Sequence, residues 1–290
     1  MAADDRTVAE RLRARFEDLT RAERQLADAM LRDYPMLGLG SITALAEAAH
    51  VSSPTVVRLA RKLGYGGFSD LQAALRDELQ ATISNPIARH DRWAEDAPAA
   101  HALNRFADVA LSNMRQTISS IDPADFDAAA ALLADRRRAV FVTGGRISHA
   151  LADYLYTHLQ VIRARVTLAP GHGATWPHHA LEIRAGDVLM MFDMRRYERD
   201  LLRFAEAASE AGAQIVLITD QWGSPIAKLA AHSFHARIEA PSAWDSNVAP
   251  MVLVEALLAA VEARDWDDTR ERMRRLEALF DRSRTFRKFT

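Results

Sequence analysis

Thr55, Arg58, Arg61 and Lys62 are hydrogen-bond donors recurring at helical spacing within VSSPTVVRLARKLGYGGF, residues 51–68. On a helical wheel they fall on one side, and Val56, Leu59, Ala60 and Leu63 fall on the other. No Asp or Glu occurs between 48 and 69, which suits a surface that meets phosphates. The backbone N–H groups of Ser52 and Ser53, at the helix start, and Lys62 are expected to hold phosphates, while Thr55, Arg58 or Arg61 reach base edges. The plain alternative is a solvated amphipathic helix, since any surface helix shows two faces.

Three other stretches carry candidate chemistry. Val142-Thr143-Gly144-Gly145-Arg146-Ile147-Ser148 follows an apolar run and opens a helix, so its N–H groups and the Ser148 hydroxyl are placed to cradle an anion. Asp193-Met194-Arg195-Arg196-Tyr197-Glu198 mixes both charge signs directly after another apolar run. Its arginines suit bidentate contact with an anion; a structural salt-bridge cluster is the alternative. His172, His178, His179 and Glu182 show no zinc spacing and read as surface or packing residues rather than metal ligands or an acid–base pair.

These groups need elements to position them. Residues 1–80 read as all helix: Thr20 to Glu23 form a capping-box pattern, Ser41 starts a second short helix, and Ser53-Pro54 starts a third that ends at Gly64. A short helix, a tight turn at His50-Val51-Ser52 and the Arg-bearing helix make a helix-turn-helix whose second helix would enter the major groove. Residues 81–104, rich in Pro, Ala and mixed charge, read as a linker. From 105 to 265, helices alternate with apolar runs at 139–143, 164–168, 187–192, 214–219 and 232–236. That rhythm predicts a three-layer α/β domain with a five-stranded parallel sheet and ligands at the carboxyl ends of the strands. Residues 266–290 read as an amphipathic, basic C-terminal helix, solvated or packed in a dimer, and Trp244 reads as a packing residue.

The composition bounds the answer. The 290 residues, 49% hydrophobic, suffice for two domains, and a net charge of −2 leaves attraction to nucleic acid to a local patch. The absence of cysteine excludes disulfides and cysteine-based zinc or nucleophile chemistry. The most apolar run, 251–261, is too short to span a bilayer and contains Glu255. The expectation is a cytoplasmic protein with no membrane partner.

Residues 20–80, above all SITALAEAAHVSSPTVVRLARKLGYGGFSDLQAAL, resemble the N-terminal domain of the RpiR/MurR family of bacterial transcription regulators. Thr55-Val56-Val57-Arg58, Leu63-Gly64-Tyr65, Gly67-Phe68 and Asp70-Leu71 carry the match. His50 stands where a turn glycine is usual, and histidine tolerates such a backbone. Residues 105–265 are similar to that family's sugar isomerase (SIS) domain. Ile218-Thr219-Asp220 followed by Ser224-Pro225-Ile226-Ala227 is the strongest local match, and Gly144 and Ser148 fit its "G-x-G-x-S" with Arg146 replacing a glycine.

The resemblance implies a ligand set of Gly144, Gly145, Arg146, Ser148, Asp193, Arg195, Arg196, Thr219 and Asp220. The phosphate loop "S-x-S-G-x-T" is altered: Asp193 and Arg195 replace its serines and Glu198 its threonine. A simple sugar phosphate therefore does not carry over, and another small, perhaps carboxylate or doubly charged, ligand is expected. The resulting expectation is a DNA-binding regulator, not an enzyme, with neither cofactor nor metal. Its partners would be double-stranded operator DNA, a small-molecule effector and copies of itself, as a homodimer or homotetramer. The alternatives are a SIS-fold sugar isomerase with a vestigial DNA-binding domain and a nucleoid-type binder without an effector.

Overall fold

A computed structural model describes residues 6–83, 86–87, 89, 101–170 and 175–286. Most of the expected linker, and His172, lie outside the described residues. Residue contacts divide the chain into two units, one of residues 1–109 with 220–223 and 239–245, the other of residues 110–219, 224–238 and 246–290.

The first unit is built from α1 (Val8–Ala14), α2 (Arg21–Arg32), α3 (Ile42–Ala48), α4 (Ser53–Lys62) and α5 (Phe68–Ile83). Local chemistry sets their starts. Thr7 with Glu10 and Thr20 with Glu23 form reciprocal capping boxes, and the Ser41 hydroxyl accepts the Ala44 N–H. The helices close over Leu12, Leu26, Met30, Leu45, Val56, Leu59, Leu71 and Leu75, all buried. His50 turns the chain with φ of 51°, the left-handed conformation expected of it.

α1 and α5 are joined by a half-buried carboxyl group. Glu78 accepts the Val8 N–H at 2.7 Å and the Tyr34 hydroxyl. Burial is the main reason that its pKa is pushed up from 4.5 to about 7; the Tyr34 and Val8 donors oppose the rise, Glu10 adds to it and Arg11 opposes it. A raised acid pKa means that the fold favours protonated Glu78. This contribution is fully present below about pH 4.5 and is lost as pH rises through about 7. The difference corresponds to about 3 kcal/mol. Denaturant titrations of the wild type across this window are expected to show that loss, and Glu78→Gln, which stays neutral, is expected to flatten it.

In the second unit, α6 (Ala102–Ser119) runs in from the first, and α7 (Pro123–Ala134) leads to β1 (Val140–Gly144). There follow α8 (His149–Ile162), β2 (Val166–Leu168), the short α9 (Trp176–Ala180), β3 (Val188–Asp193), α10 (Arg199–Glu210), β4 (Gln214–Asp220), β5 (His232–Ala236), α11 (Val248–Arg264) and α12 (Trp266–Ser283). The sheet has order β2-β1-β3-β4-β5, with parallel registers such as Gly144 beside Phe192 and Asp193 beside Thr219. Alternate strand residues face opposite layers. Val140, Val142, Met190, Phe192, Val216 and Ile218 pack with α7, α8 and α11; Phe141, Leu189, Met191, Ile215 and Leu217 pack with α10. This is the expected three-layer α/β domain, in which both sheet faces are covered and the central strands β1, β3 and β4 are largely apolar and buried, while β5, His-Ser-Phe-His-Ala, is the more polar edge.

Arg163, after α8, is fully buried and donates to the carbonyls of Leu133, Arg138 and Ala164. It thereby satisfies a carbonyl at the end of α7. Burial, reinforced by Arg136 and Arg165, pushes its pKa down to about 10. α11 starts at Val248 after Asn247, and its first N–H donates to Ser246 Oγ at 3.2 Å. No described helix is long and apolar enough to cross a membrane.

Candidate DNA-reading face and effector site

α4 begins one residue earlier than Ser53-Pro54 suggests: Ser52 is the cap residue and Ser53 the first helical one. Ser52, Arg58 and Arg61 are exposed. Arg58 donates to the Thr55 hydroxyl at 2.9 Å, and that hydroxyl also meets Ser52 Oγ at 3.0 Å. Thr55, expected to reach a base edge, is buried here, and its hydroxyl is shared between Ser52 and Arg58, accepting from the latter.

Lys62, expected to hold a phosphate, is engaged within the domain. Its ammonium lies 3.0 Å from the Glu23 carboxylate and donates to the Asp18 carbonyl at 2.7 Å. The flexible stem lets it fold back onto α2 rather than reach outward. Burial pushes the Glu23 pKa up, but the Thr20 backbone and hydroxyl donors and Lys62 outweigh it and leave it below its ordinary value. Arg11 and Arg15 of the α1 end take the carbonyls of Leu63 and Lys62, satisfying the C-terminus of α4. The helix is therefore clamped at its C-terminal end while Ser52, Ser53, Arg58 and Arg61 remain at the outer surface. Lys62→Met is expected to lower stability by about 1–3 kcal/mol in a denaturant titration, by stripping donors from Glu23, and to leave the salt dependence of DNA binding unchanged.

In the second unit, the strand order reverses between β1 and β3, so the loops after these two strands meet at the crevice where open α/β sheets bind ligands. The loop after β1 approaches its surroundings closely. A Cβ on Gly144 would lie 2.8 Å from the Ser148 carbonyl, and one on Gly145 would lie 2.8 Å from Glu198 Oε1. Three of its donors are engaged by the protein itself. The Gly145 N–H and the Ser148 hydroxyl both donate to the Phe192 carbonyl, at 3.1 and 2.8 Å, and the Arg146 N–H donates to Glu198 Oε1 at 2.7 Å. Ser148 has one hydroxyl proton, so in this arrangement it does not donate to a bound anion.

The loop after β3 starts at Asp193, whose carboxylate is buried. Ser224 Oγ donates to Asp193 Oδ2, and the Glu198 N–H lies 3.4 Å from Oδ1. Thr219 Oγ1 donates to the Asp193 carbonyl at 2.7 Å and accepts the Ser224 N–H at 3.0 Å. Arg195, buried, and Arg196, exposed, are both left-handed, with φ of 42° and 43°. Two successive non-glycine residues in this region are strained, a feature that concentrates at functional sites. Asp220 closes the turn after β4 by accepting the N–H groups of Trp222 and Gly223. In the expected ligand set, then, Gly144, Gly145, Arg146 and Ser148 meet the loop of Asp193, and Asp193 meets Thr219.

Sequence reasoning left Ser224 and Glu198 out of the ligand set, although both stand in matched or altered motif positions. It also passed over His149, next to Ser148, whose buried Nδ1 has no hydrogen-bond partner. His178 and Glu182 are exposed and His179 half-buried. Among the described residues, no cluster of His, Cys, Asp or Glu could hold a metal ion. Trp244 is 55% exposed.

Comparison with known proteins matches residues 6–82 to the helix-turn-helix domain of the rpiR family and residues 132–260 to the SIS domain. The chain belongs to the RpiR family of DNA-binding transcription regulators. It is 26% identical over 285 residues to the HTH-type transcriptional regulator HexR of Pseudomonas aeruginosa, covering 94% of this chain and 95% of that one. The sugar isomerase domain of an RpiR transcription factor from Sphaerobacter thermophilus superposes with a TM-score of 0.56 at 26% identity, over 61% of this chain and 97% of that one. The NanR protein of Vibrio vulnificus, solved with ManNAc-6P, shares the fold with a TM-score of 0.53 at 20% identity, over 94% and 97% of the two chains.

In this regulator the buried Asp193 carboxylate depends on its hydroxyl donor. Ser224→Ala is expected to destabilise the SIS domain by about 1–3 kcal/mol, read as a lower denaturation midpoint with an unchanged slope.

Proposed function

We propose that this RpiR-family regulator reads a specific operator through Arg58 and Arg61 of α4 and answers to a small-molecule effector bound where the β1 and β3 loops meet. The observation that carries the reading is the Thr55-buttressed Arg58 beside exposed Arg61 on a helix clamped at its far end. A guanidinium held in place loses less freedom on pairing with guanine, and such a pair gives about 1–3 kcal/mol of discrimination. The N–H groups of Ser52 and Ser53, at the helix start, would hold a phosphate.

The SIS domain acts in this reading as a sensor rather than an isomerase. Gly145, Arg146 and Ser148 direct their donors at the protein's own groups, which does not favour phosphosugar turnover. The assembly is a homodimer or homotetramer, placing pairs of α4 helices about 34–36 Å apart on a pseudo-palindromic site. The effector shifts operator affinity by its difference in affinity for the two arrangements of the assembly.

The test is binding to DNA selected genome-wide, including the region upstream of the protein's own gene, against scrambled DNA across a salt series. Arg58→Ala is expected to cost about 1–3 kcal/mol on the selected site and far less on scrambled DNA. Arg61→Ala is expected to narrow the gap between the selected site and scrambled DNA in the same way. Equal affinity for every fragment would remove the operator reading, and turnover of phosphosugars would restore the isomerase.

A further inference from the structure

The loop after β1 holds an anion, and the anion belongs to the protein. Glu198 Oε1 accepts the Arg146 N–H at 2.7 Å and fills the space into which a Gly145 Cβ would project, 2.8 Å away. Glu198 reaches that position from the opposite side of the crevice, because its own N–H faces the buried Asp193 carboxylate and its carbonyl accepts the Leu202 N–H in the first turn of α10. It is the residue immediately before that helix.

We propose that Glu198 is a tethered carboxylate ligand of the Gly144–Ser148 loop, occupying the seat of an anionic group and setting the specificity of the site against phosphate. The proposal rests on the reading of these strand-end loops as the effector site, and it narrows the effector class. A ligand that meets the loop presents hydroxyl or amino groups to the Glu198 carboxylate, because an anion there meets a like charge and finds the Arg146 N–H engaged. Arg146 fits the same arrangement: a side chain in place of a small turn residue is tolerated where its backbone N–H serves an internal acceptor.

The experiment titrates inorganic phosphate and a hexose 6-phosphate into full-length wild type, Glu198→Gln and Glu198→Ser, followed by calorimetry. The wild type is expected to show no saturable binding at millimolar phosphate. Glu198→Ser, which frees the N–H and removes the charge, is expected to gain roughly tenfold or more, the factor that one charge-assisted hydrogen bond supplies. Glu198→Gln, which removes the charge but keeps an acceptor of the same reach, is expected to gain less. Adding Gly145→Ala to Glu198→Ser places a methyl in the vacated space and is expected to abolish the gain, which distinguishes this loop from the surface arginines.

Wild-type affinity for phosphate equal to that of Glu198→Ser would overturn the proposal. So would a Glu198→Ser protein with unchanged circular dichroism and melting temperature that gains nothing. The titration contains no DNA, so its failure is separate from a failure to read an operator.

Discussion

A buried carboxyl group at the carboxyl end of the central sheet organises the strand-end crevice. Asp193 is buried at the last position of β3, and a buried carboxyl group there requires hydrogen-bond partners around it. Ser224 supplies a hydroxyl from the turn after β4, and the Glu198 backbone approaches from the start of α10. Thr219 ties the same residue's carbonyl into β4. The β3 loop, squeezed between these anchors, passes through two left-handed arginines, and its last side chain arrives opposite the Arg146 N–H. One buried carboxylate thus dictates where a second one sits.

The helical unit follows a similar logic with the opposite sign. Three of its cations gather at the C-terminal end of α4: Arg11 and Arg15 donate to the carbonyls of Leu63 and Lys62, and Lys62 meets the Asp18 carbonyl and Glu23. That end of the helix carries the negative pole of its dipole, and positive charge from neighbouring elements stabilises it. The N-terminal end, with Ser52 exposed, is left to the outside, and Arg58 and Arg61 are exposed further along the helix. A chain with a net charge of −2 therefore needs no overall positive charge to recognise DNA.

The parts of this architecture governed by local chemistry were legible in the sequence. The Thr20–Glu23 capping box, the Ser41 cap, the left-handed turn at His50 and the five apolar strands depend on near neighbours or on periodicity, and such signals survive without coordinates. What escaped involved a side chain choosing between partners far apart in the chain. The helical wheel placed Thr55 and Lys62 on the polar side, yet Thr55 tucks under Arg58 and Lys62 folds onto Glu23. Glu198 was noted as an altered loop residue, but its pairing with Arg146 follows only from the strand order, which brings the β1 and β3 loops together. Arg163 gave no signal, because a buried arginine whose acceptors are backbone carbonyls has no counter-charge to search for.

An internal carboxylate changes what a sensor can detect. A group tethered beside its own binding loop competes with any free anion at the effective concentration set by its short connection, in the millimolar range or above even for flexible tethers. The α10 start is anchored at Asp193, so Glu198 keeps that advantage without sacrificing much freedom each time it docks. An abundant phosphorylated metabolite would then meet both an occupied seat and a repelling charge. A ligand that binds Glu198 instead of replacing it would draw on the same carboxylate as an acceptor, and its differential contact with the β1 and β3 loops is the energy available for shifting the regulator between states. Substituting the threonine position of the phosphate loop with a glutamate therefore does more than remove a contact: it gives the crevice a fixed charge around which a different chemistry of recognition can be built.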